Sequence, residues 1–345
     1  MKSTHFLGIL ILVIGYFTYK IFYPFLETIT IAILLTVATY RINHFFIKKT
    51  RHKTISALLS TAAISILFFA PIVYLITSAA TTIANIDINY IKEIYSNIHN
   101  WITDFVSQNR FFKNSNILEF IEKIDLNETV HKLITVASFL ATKSAKFLKD
   151  ITLILIFYFF LNLYGRDILL YFQRIAPLSK EESSKLFENL ANVMGVVFSS
   201  ILVTAFFEGI LFGIIAQLYG YNGLMFGILY GFASLIPVVG GVLMWLPLSI
   251  HQFALGNINA AITIALYSII VISLIADTFI KPIIIKYIDS LMIKKDIYVN
   301  ELLIFFSIVA GLASYGFWGM IFGPAVITLL ISIFNIYPEV SKSSK

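Results

Sequence analysis

The 345-residue chain contains no cysteine. Disulfides, iron–sulfur clusters, thiolate zinc sites and thiol nucleophiles are therefore excluded. Charge is scarce as well: Asp, Glu, Lys and Arg make up 13% of the residues, against about 25% in an ordinary soluble domain. No Gly-x-x-x-x-Gly-Lys-Ser/Thr loop occurs, and no dinucleotide-binding glycine fingerprint, so energy for any transport would come from an ion or solute gradient. Neither a His-Glu-x-x-His pair nor a serine nucleophile elbow is present, which argues against an intramembrane enzyme. No cofactor and no metal site is expected. The first apolar run follows Lys2 without a small-residue cleavage site, so it reads as a retained helix rather than a signal peptide.

What the chain has in excess is apolar surface. Hydrophobic residues make up 59%, against roughly 45–50% in soluble domains. A soluble fold of this length has too little interior to hide them, and lipid is the solvent that accepts them. One crossing of an apolar layer about 30 Å thick takes roughly 20 apolar residues. Phe6–Tyr23, Ile55–Ala80, Val193–Leu218 and Ala260–Ile280 meet that length, and Ile151–Leu163 does so when Phe147 and Leu148 are counted with it. The net charge of +6 does not point to nucleic acid. Its basic residues sit in short loops beside apolar runs, which is the positive-inside pattern.

Orientation follows from those loops. Arg41–Lys53 carries five basic residues and no acid, so it is expected to be a cytoplasmic loop. Two spans before it, Phe6–Tyr23 and about Phe25–Tyr40, would place the N-terminus in the cytoplasm too. Ile55–Ala80 then delivers Thr81–Lys146 to the outside. This gives three regions: N-terminal helices in 1–80, an extracytoplasmic insert in 81–146, and a C-terminal core in 147–345. Within the insert, Ile91, Ile94, Tyr95, Ile98, Trp101, Ile102 and Phe105 recur at three- and four-residue steps, one stripe of an amphipathic helix. Asn127 is a candidate cap for a second helix. These stripes either pack on each other or a neighbouring subunit, or capture a ligand. On the cytoplasmic side, Ser179-Lys-Glu-Glu182 has capping-box spacing and opens a helix that leads into Val193–Leu218.

Counting lysines then predicts a turn. If Leu224–Ile250 crossed once, Lys281, Lys286, Lys294 and Lys295 would fall outside, against the positive-inside rule. A segment that enters and turns back restores them to the cytoplasm. Ile236-Pro-Val-Val-Gly-Gly241 and Pro247 supply the breakers, since proline removes a backbone donor and glycine accepts any φ. Leu302–Tyr337 has the same character: too long for one span, barely enough for two, and interrupted by Gly311, Gly316, Gly319, Gly323 and Pro324. Lys342 and Lys345 favour a cytoplasmic C-terminus. Two short, broken helical hairpins near 224–250 and 302–337 are the sequence pointer to a transporter binding site. The competing reading is that these glycines only allow close helix packing. The expected fold is an all-α polytopic transmembrane bundle with two re-entrant hairpins and an extracytoplasmic helical insert.

Those motifs resemble a known family. Ile236-Pro-Val-Val-Gly240 with Pro247, after Asn222-Gly-Leu-Met-Phe-Gly227, resembles the Ile-Pro-x-x-Gly element of the autoinducer-2 exporter family. Asp277-Thr-Phe-Ile-Lys-Pro282 is similar to that family's Asp-x-x-x-x-Pro element, and Gly311, Gly316, Gly319 and Gly323-Pro324 to its closing glycine-rich segment. The resemblance covers the whole chain in element order. It implies an oligomeric, multi-spanning protein of the bacterial inner membrane that exports a small signalling molecule. Other members are described as sodium(lithium)/proton antiporters.

Ionisable groups at bilayer depth cost about 2.5–3.5 kcal/mol on insertion scales, so each is a candidate. Glu208, near the middle of its helix, is the first candidate for a proton- or cation-linked carboxylate. Its alternative is a buried hydrogen bond to a neighbouring helix. Asp277 either pairs with Lys281 four residues on or coordinates substrate or cation beside the hairpins. Glu27, Glu301 and His251 read more readily as interfacial or structural groups. Gln217, Asn222, Ser234 and Ser314 are neutral polar groups near the hairpins that suit a small hydroxylated ligand. The leading expectation is a secondary transporter, exporting a small polar molecule by alternating access with both hairpins forming the site. The alternatives are sodium(lithium)/proton exchange, a channel, and a non-transporting scaffold or receptor that works through the insert. Expected partners are the lipid bilayer, a small polar solute or monovalent cation, and further copies of the chain.

Overall fold

The computed structural model describes residues 3–84, 87–108, 126–175, 180–234, 236, 239–292 and 301–343. Among these there is no strand. Among the described residues, five helical runs are long and apolar enough to cross a membrane: His5–Ala38, Lys53–Ser78, Ser144–Tyr171, Met194–Leu218 and Ile258–Ile284. The chain groups into two compact units. One comprises Met1–Ser65, Lys149–Gly195 and Val299–Lys345, the other Ile66–Leu148 and Val196–Tyr298.

In the first unit, α1 (Ser3–Phe22) runs through a 3-10 turn at Tyr23–Phe25 into α2 (Leu26–Ala38). Pro24 sits inside that turn and no reversal follows it. The two spans expected here are thus one helical run interrupted by that 3-10 turn, about 50 Å long at 1.5 Å per residue. The basic segment expected as a loop is α3 (Tyr40–Thr50), closed by Arg51 at φ 58°. It folds back on α4 (Lys53–Ile64) through Asn43, whose Oδ1 accepts from Ser56 Oγ at 2.7 Å and Ser60 Oγ at 3.2 Å. Short polar side chains stitch what the sequence pattern treated as a tether. Further on, Thr39 and Tyr158 hydroxyls meet at 2.6 Å, both buried.

A π turn over Ser65–Phe69 links α4 to α5 (Ala70–Ala84). Pro71, just beyond it, cannot donate to the preceding turn, and the wider turn absorbs that loss. The amphipathic stripe of the insert forms α6 (Ile88–Gln108). The second insert helix and the Ile151–Leu163 span, expected as separate elements, are one 50-residue helix, α7 (Leu126–Ile175). Lys146, Lys149 and Asp150 mark a change of polarity, but none of them breaks a helix. α8 (Lys180–Leu218) begins beside Ser179, which lies outside the described residues.

The second unit holds the breakers. α8 ends in a turn over Tyr219–Asn222, and α9 (Gly223–Ala233) returns along it with backbone against backbone. A Cβ on Gly209 would stand 2.6 Å from the Gly227 carbonyl oxygen, one on Gly213 2.6 Å from that of Gly223, and one on Gly231 2.6 Å from that of Ala205. Glycine at every fourth position removes the side chains that would hold the axes apart. α10 (Val239–Ala254) then folds back on α9. Gly240 lies against the Ala233 carbonyl, Gly241 against the Tyr230 hydroxyl, and at the far end Tyr221 meets His251. Ser234 and Ile236 lie in the connection between them, and Pro237 lies outside the described residues. Pro247 is accommodated inside α10 with its side chain exposed. α11 (Ile258–Tyr267) follows a turn at Gly256 and continues through a π segment, Ser268–Ile280, into α12 (Lys281–Met292). Phe212, Ile215, Ala216, Tyr230, Leu248, Ile264 and Ile272 form the core of this unit.

Back in the first unit, α13 (Glu301–Tyr315), a 3-10 turn at Gly316–Trp318 and α14 (Gly319–Ser343) make a second antiparallel pair. Gly311 opposes the Gly319 carbonyl, and Gly323 that of Ser307. Both places read from the sequence as broken are therefore helix–turn–helix pairs in close contact.

Gly227→Leu should push α9 off α8 and cost about 1–3 kcal/mol or more, as overpacking does. Gly15→Leu, with nothing within 4 Å of the added carbon, should be silent. Thermal melting of the two purified variants, followed by size-exclusion recovery, checks the contrast.

Candidate functional site

Glu208 is 2% exposed, in the middle of the apolar run Met194–Leu218. Lys281 Nζ, at the start of α12, donates to its Oε1 at 3.4 Å. The lysine is about one-third exposed, so the pair joins a buried carboxylate to a half-open cation. Lys281 is the residue that helical spacing linked to Asp277. Asp277 stands in the π segment, where the Lys281 backbone N–H bonds Ala276 O, five residues back. The Asp277 side chain lies outside the described residues.

Two residues passed over in the sequence share the face of Glu208. Ser200 and Thr204 stand two turns and one turn before it and are 7% and 5% exposed. Their hydroxyls are buried without a hydrogen-bond partner among the described residues. The four-residue spacing Ser200, Thr204, Glu208 was the signal available for finding them.

The other candidates sit at the ends of α9. Gln217 Oε1 accepts from Gly223 N at 3.0 Å, closing the α8–α9 turn. Asn222 caps α9 by accepting from Met225 N at 3.0 Å, and its amide donates to the Tyr74 hydroxyl of α5 at 3.2 Å. Ser234, half-buried at the other end, donates to Gly231 O at 3.0 Å. Ser314 is exposed on α13, in the other unit. The structure thus pairs Glu208 with Lys281 and places Ser200 and Thr204 on the same helix face, while Gln217 and Asn222 gather at the α8–α9 turn.

That turn carries a second polar cluster. Tyr90 of α6 and Tyr221 reach the two ring nitrogens of His251, each at 2.6 Å. Gln252 donates to the Tyr221 hydroxyl at 3.1 Å and to Tyr219 O at 3.2 Å. Asn97 donates to Ala254 O at 3.2 Å, and Trp101 meets Phe253 edge-on at 4.5 Å. The first insert helix is therefore clasped to the far end of α10 around a histidine. Burial holds the His251 imidazole below its ordinary value, so it is the neutral ring that bridges the tyrosines. A shallow groove of about 280 Å³ between α10 and α11 is lined by apolar side chains and Ser249, with no charged group to hold a polar solute.

Long apolar helices, two folded-back helix pairs and a buried carboxylate define a multi-pass membrane transport protein. The chain matches the AI-2E family transporter profile over residues 7–339 and belongs to that family. It is 33% identical over 340 residues to a Helicobacter pylori protein named "Putative transport protein", covering 98% of this chain and 96% of that one. An Aquifex aeolicus protein of the same name is 20% identical over 320 residues, covering 89% of this chain and 88% of its own length.

Because burial lowers the His251 pKa, the undocked clasp binds the proton more readily than the docked one, and docking weakens as pH falls below about 6.5. Protease cleavage within Ile88–Gln108 should accelerate between pH 7.5 and pH 5.5. In His251→Gln, which has no charge to acquire, the acceleration should disappear.

Proposed function

We propose that this transporter is a secondary exporter of a small polar solute, working by alternating access, with Glu208 as its coupling carboxylate. The observation that carries the reading is the burial of Glu208 within a membrane-length apolar helix beside Lys281. A carboxylate placed there is expensive unless its charge is balanced or titrated, and both conditions suit a group that takes up and releases a cation in each cycle. The short helices support re-entrant hairpins. α9 has 11 residues and α10 has 16, about 16 and 24 Å at 1.5 Å per residue, against a core of about 30 Å. The cytoplasmic side of the inner membrane takes the basic helix α3, and α6 lies outside. The exposed apolar face of α1, with Phe6, Ile11 and Phe17 more than half exposed, suits lipid or a second copy in a homo-oligomer.

Sodium(lithium)/proton exchange is a second reading, favoured by the oxygen-only character of the face holding Ser200, Thr204 and Glu208. A scaffold or receptor acting through Asp87–Asn127 would lose function when that stretch is deleted, whereas a transporter keeps partial flux.

Glu208→Gln should lower gradient-driven flux in proteoliposomes at least tenfold while leaving membrane insertion intact. Gly240→Leu should do the same by forcing a side chain into the Ala233 carbonyl. Imposed sodium and proton gradients, tested against candidate solutes, identify the coupling ion. Unchanged flux in Glu208→Gln would remove the carboxylate from the mechanism.

A further inference from the structure

The face of α8 that carries Glu208 is divided in two. Toward Met194 it presents Thr204 and Ser200 at successive four-residue steps. Toward Leu218 the same steps bring Phe212 and Ala216, both fully buried in the apolar core. Polar groups therefore lead to the carboxylate from one end of the span and stop there. Only Val196, half-buried, stands on this stripe between Ser200 and the Met194 end.

The hydroxyls on this stripe are in an unusual state for this chain. Thr30, Thr36, Thr61 and Thr263 each donate to the carbonyl four residues back, at 2.7–2.8 Å. Ser200 and Thr204, in the same kind of helix, make no such bond among the described residues. Ser249 and Ser268 share that state, but neither lies one helical turn from a carboxylate. A buried hydroxyl without a partner is costly, and two on one stripe strengthen the case for a missing acceptor. Water is the natural one, since buried waters bridge two to four such groups. The spacing fits: a four-residue step rises about 6 Å, and one water with two hydrogen bonds of about 2.8 Å covers nearly that distance.

We propose that Ser200, Thr204 and Glu208 form a hydrated file along one face of α8, through which protons reach the Glu208 carboxylate from the Met194 end of the span. The proposal rests on the reading of Glu208 as the coupling group. A proton taken from water at the Met194 end passes through the file and finishes on a Glu208 oxygen. The carboxylate becomes a neutral carboxylic acid, and the file itself keeps no charge. Lys281, within 3.4 Å, then faces a neutral acid at that contact. Ser200 and Thr204 act as positioning residues that hold the water.

The native chain has no cysteine, so single-cysteine variants report directly on water. A thiol reacts as the thiolate, which forms only where water reaches it. Ser200→Cys and Thr204→Cys should be modified by a small cationic methanethiosulfonate reagent at least tenfold faster than Val203→Cys and Phe206→Cys. Those two controls lie on the same helix but face outward, 44% and 72% exposed among apolar side chains. Labelling should come from the membrane face opposite to the one that labels Leu255→Cys, in the turn at the Leu218 end. Rates equal to the controls, or labelling from the Leu255 face, would overturn the file. If Thr204→Cys fails to assemble, Ser200→Cys carries the same test. Fast labelling combined with unaltered flux in Glu208→Gln would leave the file standing and remove the coupling role. Slow labelling with flux abolished in Glu208→Gln would do the reverse.

Discussion

Hydrocarbon supplies no partner for an exposed N–H or C=O, so a helix that ends at membrane depth must find protein around its ends. In the proposed re-entrant arrangement α9 would meet this constraint by lying backbone to backbone on α8, through Gly209, Gly213, Gly223, Gly227 and Gly231. The contact is made almost without side chains, and its strength comes from closeness rather than from apolar area. Everything that follows in the second unit depends on it. α10 folds back on α9, and Tyr230, stacked on Phe212 at 4.5 Å, reaches Gly241 only because α9 is so near α8. The pair α13 and α14 repeats the device through Gly311, Gly319 and Gly323.

The same helix face economy places the charge. α8 gives one side to glycine contacts with α9 and another to Ser200, Thr204 and Glu208. Burying an ion pair costs several kcal/mol per ion in desolvation, repaid only when geometry and further hydrogen bonds are favourable. At 3.4 Å, Lys281 and Glu208 are at the long end of hydrogen-bond contact. A pair that is close but not tightly fitted can exchange its partner for a proton or another cation at modest expense. A permanently structural pair would gain from a shorter contact.

Much of this was legible in the chain itself. Apolar runs announced the spans, because lipid leaves composition as the dominant signal. The two folded-back pairs followed from prolines and glycines, whose effect is local to the backbone. Glu208 was conspicuous as an acid in an apolar run. What escaped the sequence was non-local or lacked a breaker. Lys281 lies 73 residues from Glu208, beyond any spacing rule. The 50-residue helix α7 changes polarity without changing propensity, so its continuity was hidden. The helical state of α3 was masked by its basic charge, and the π segment at Ser268–Ile280 has no signature in periodicity.

The order of the helices also has a consequence for how the protein is made. Each short helix leaves the ribosome after the helix that shelters it: α9 after α8, α10 after α9. Chains emerge at about 5–20 residues per second, so α8 is complete roughly a second or less before α9 begins to emerge. A helix of 11 residues that appeared first would have nothing to lie against. In this half of the molecule, the sequence is written in the order in which it can be assembled.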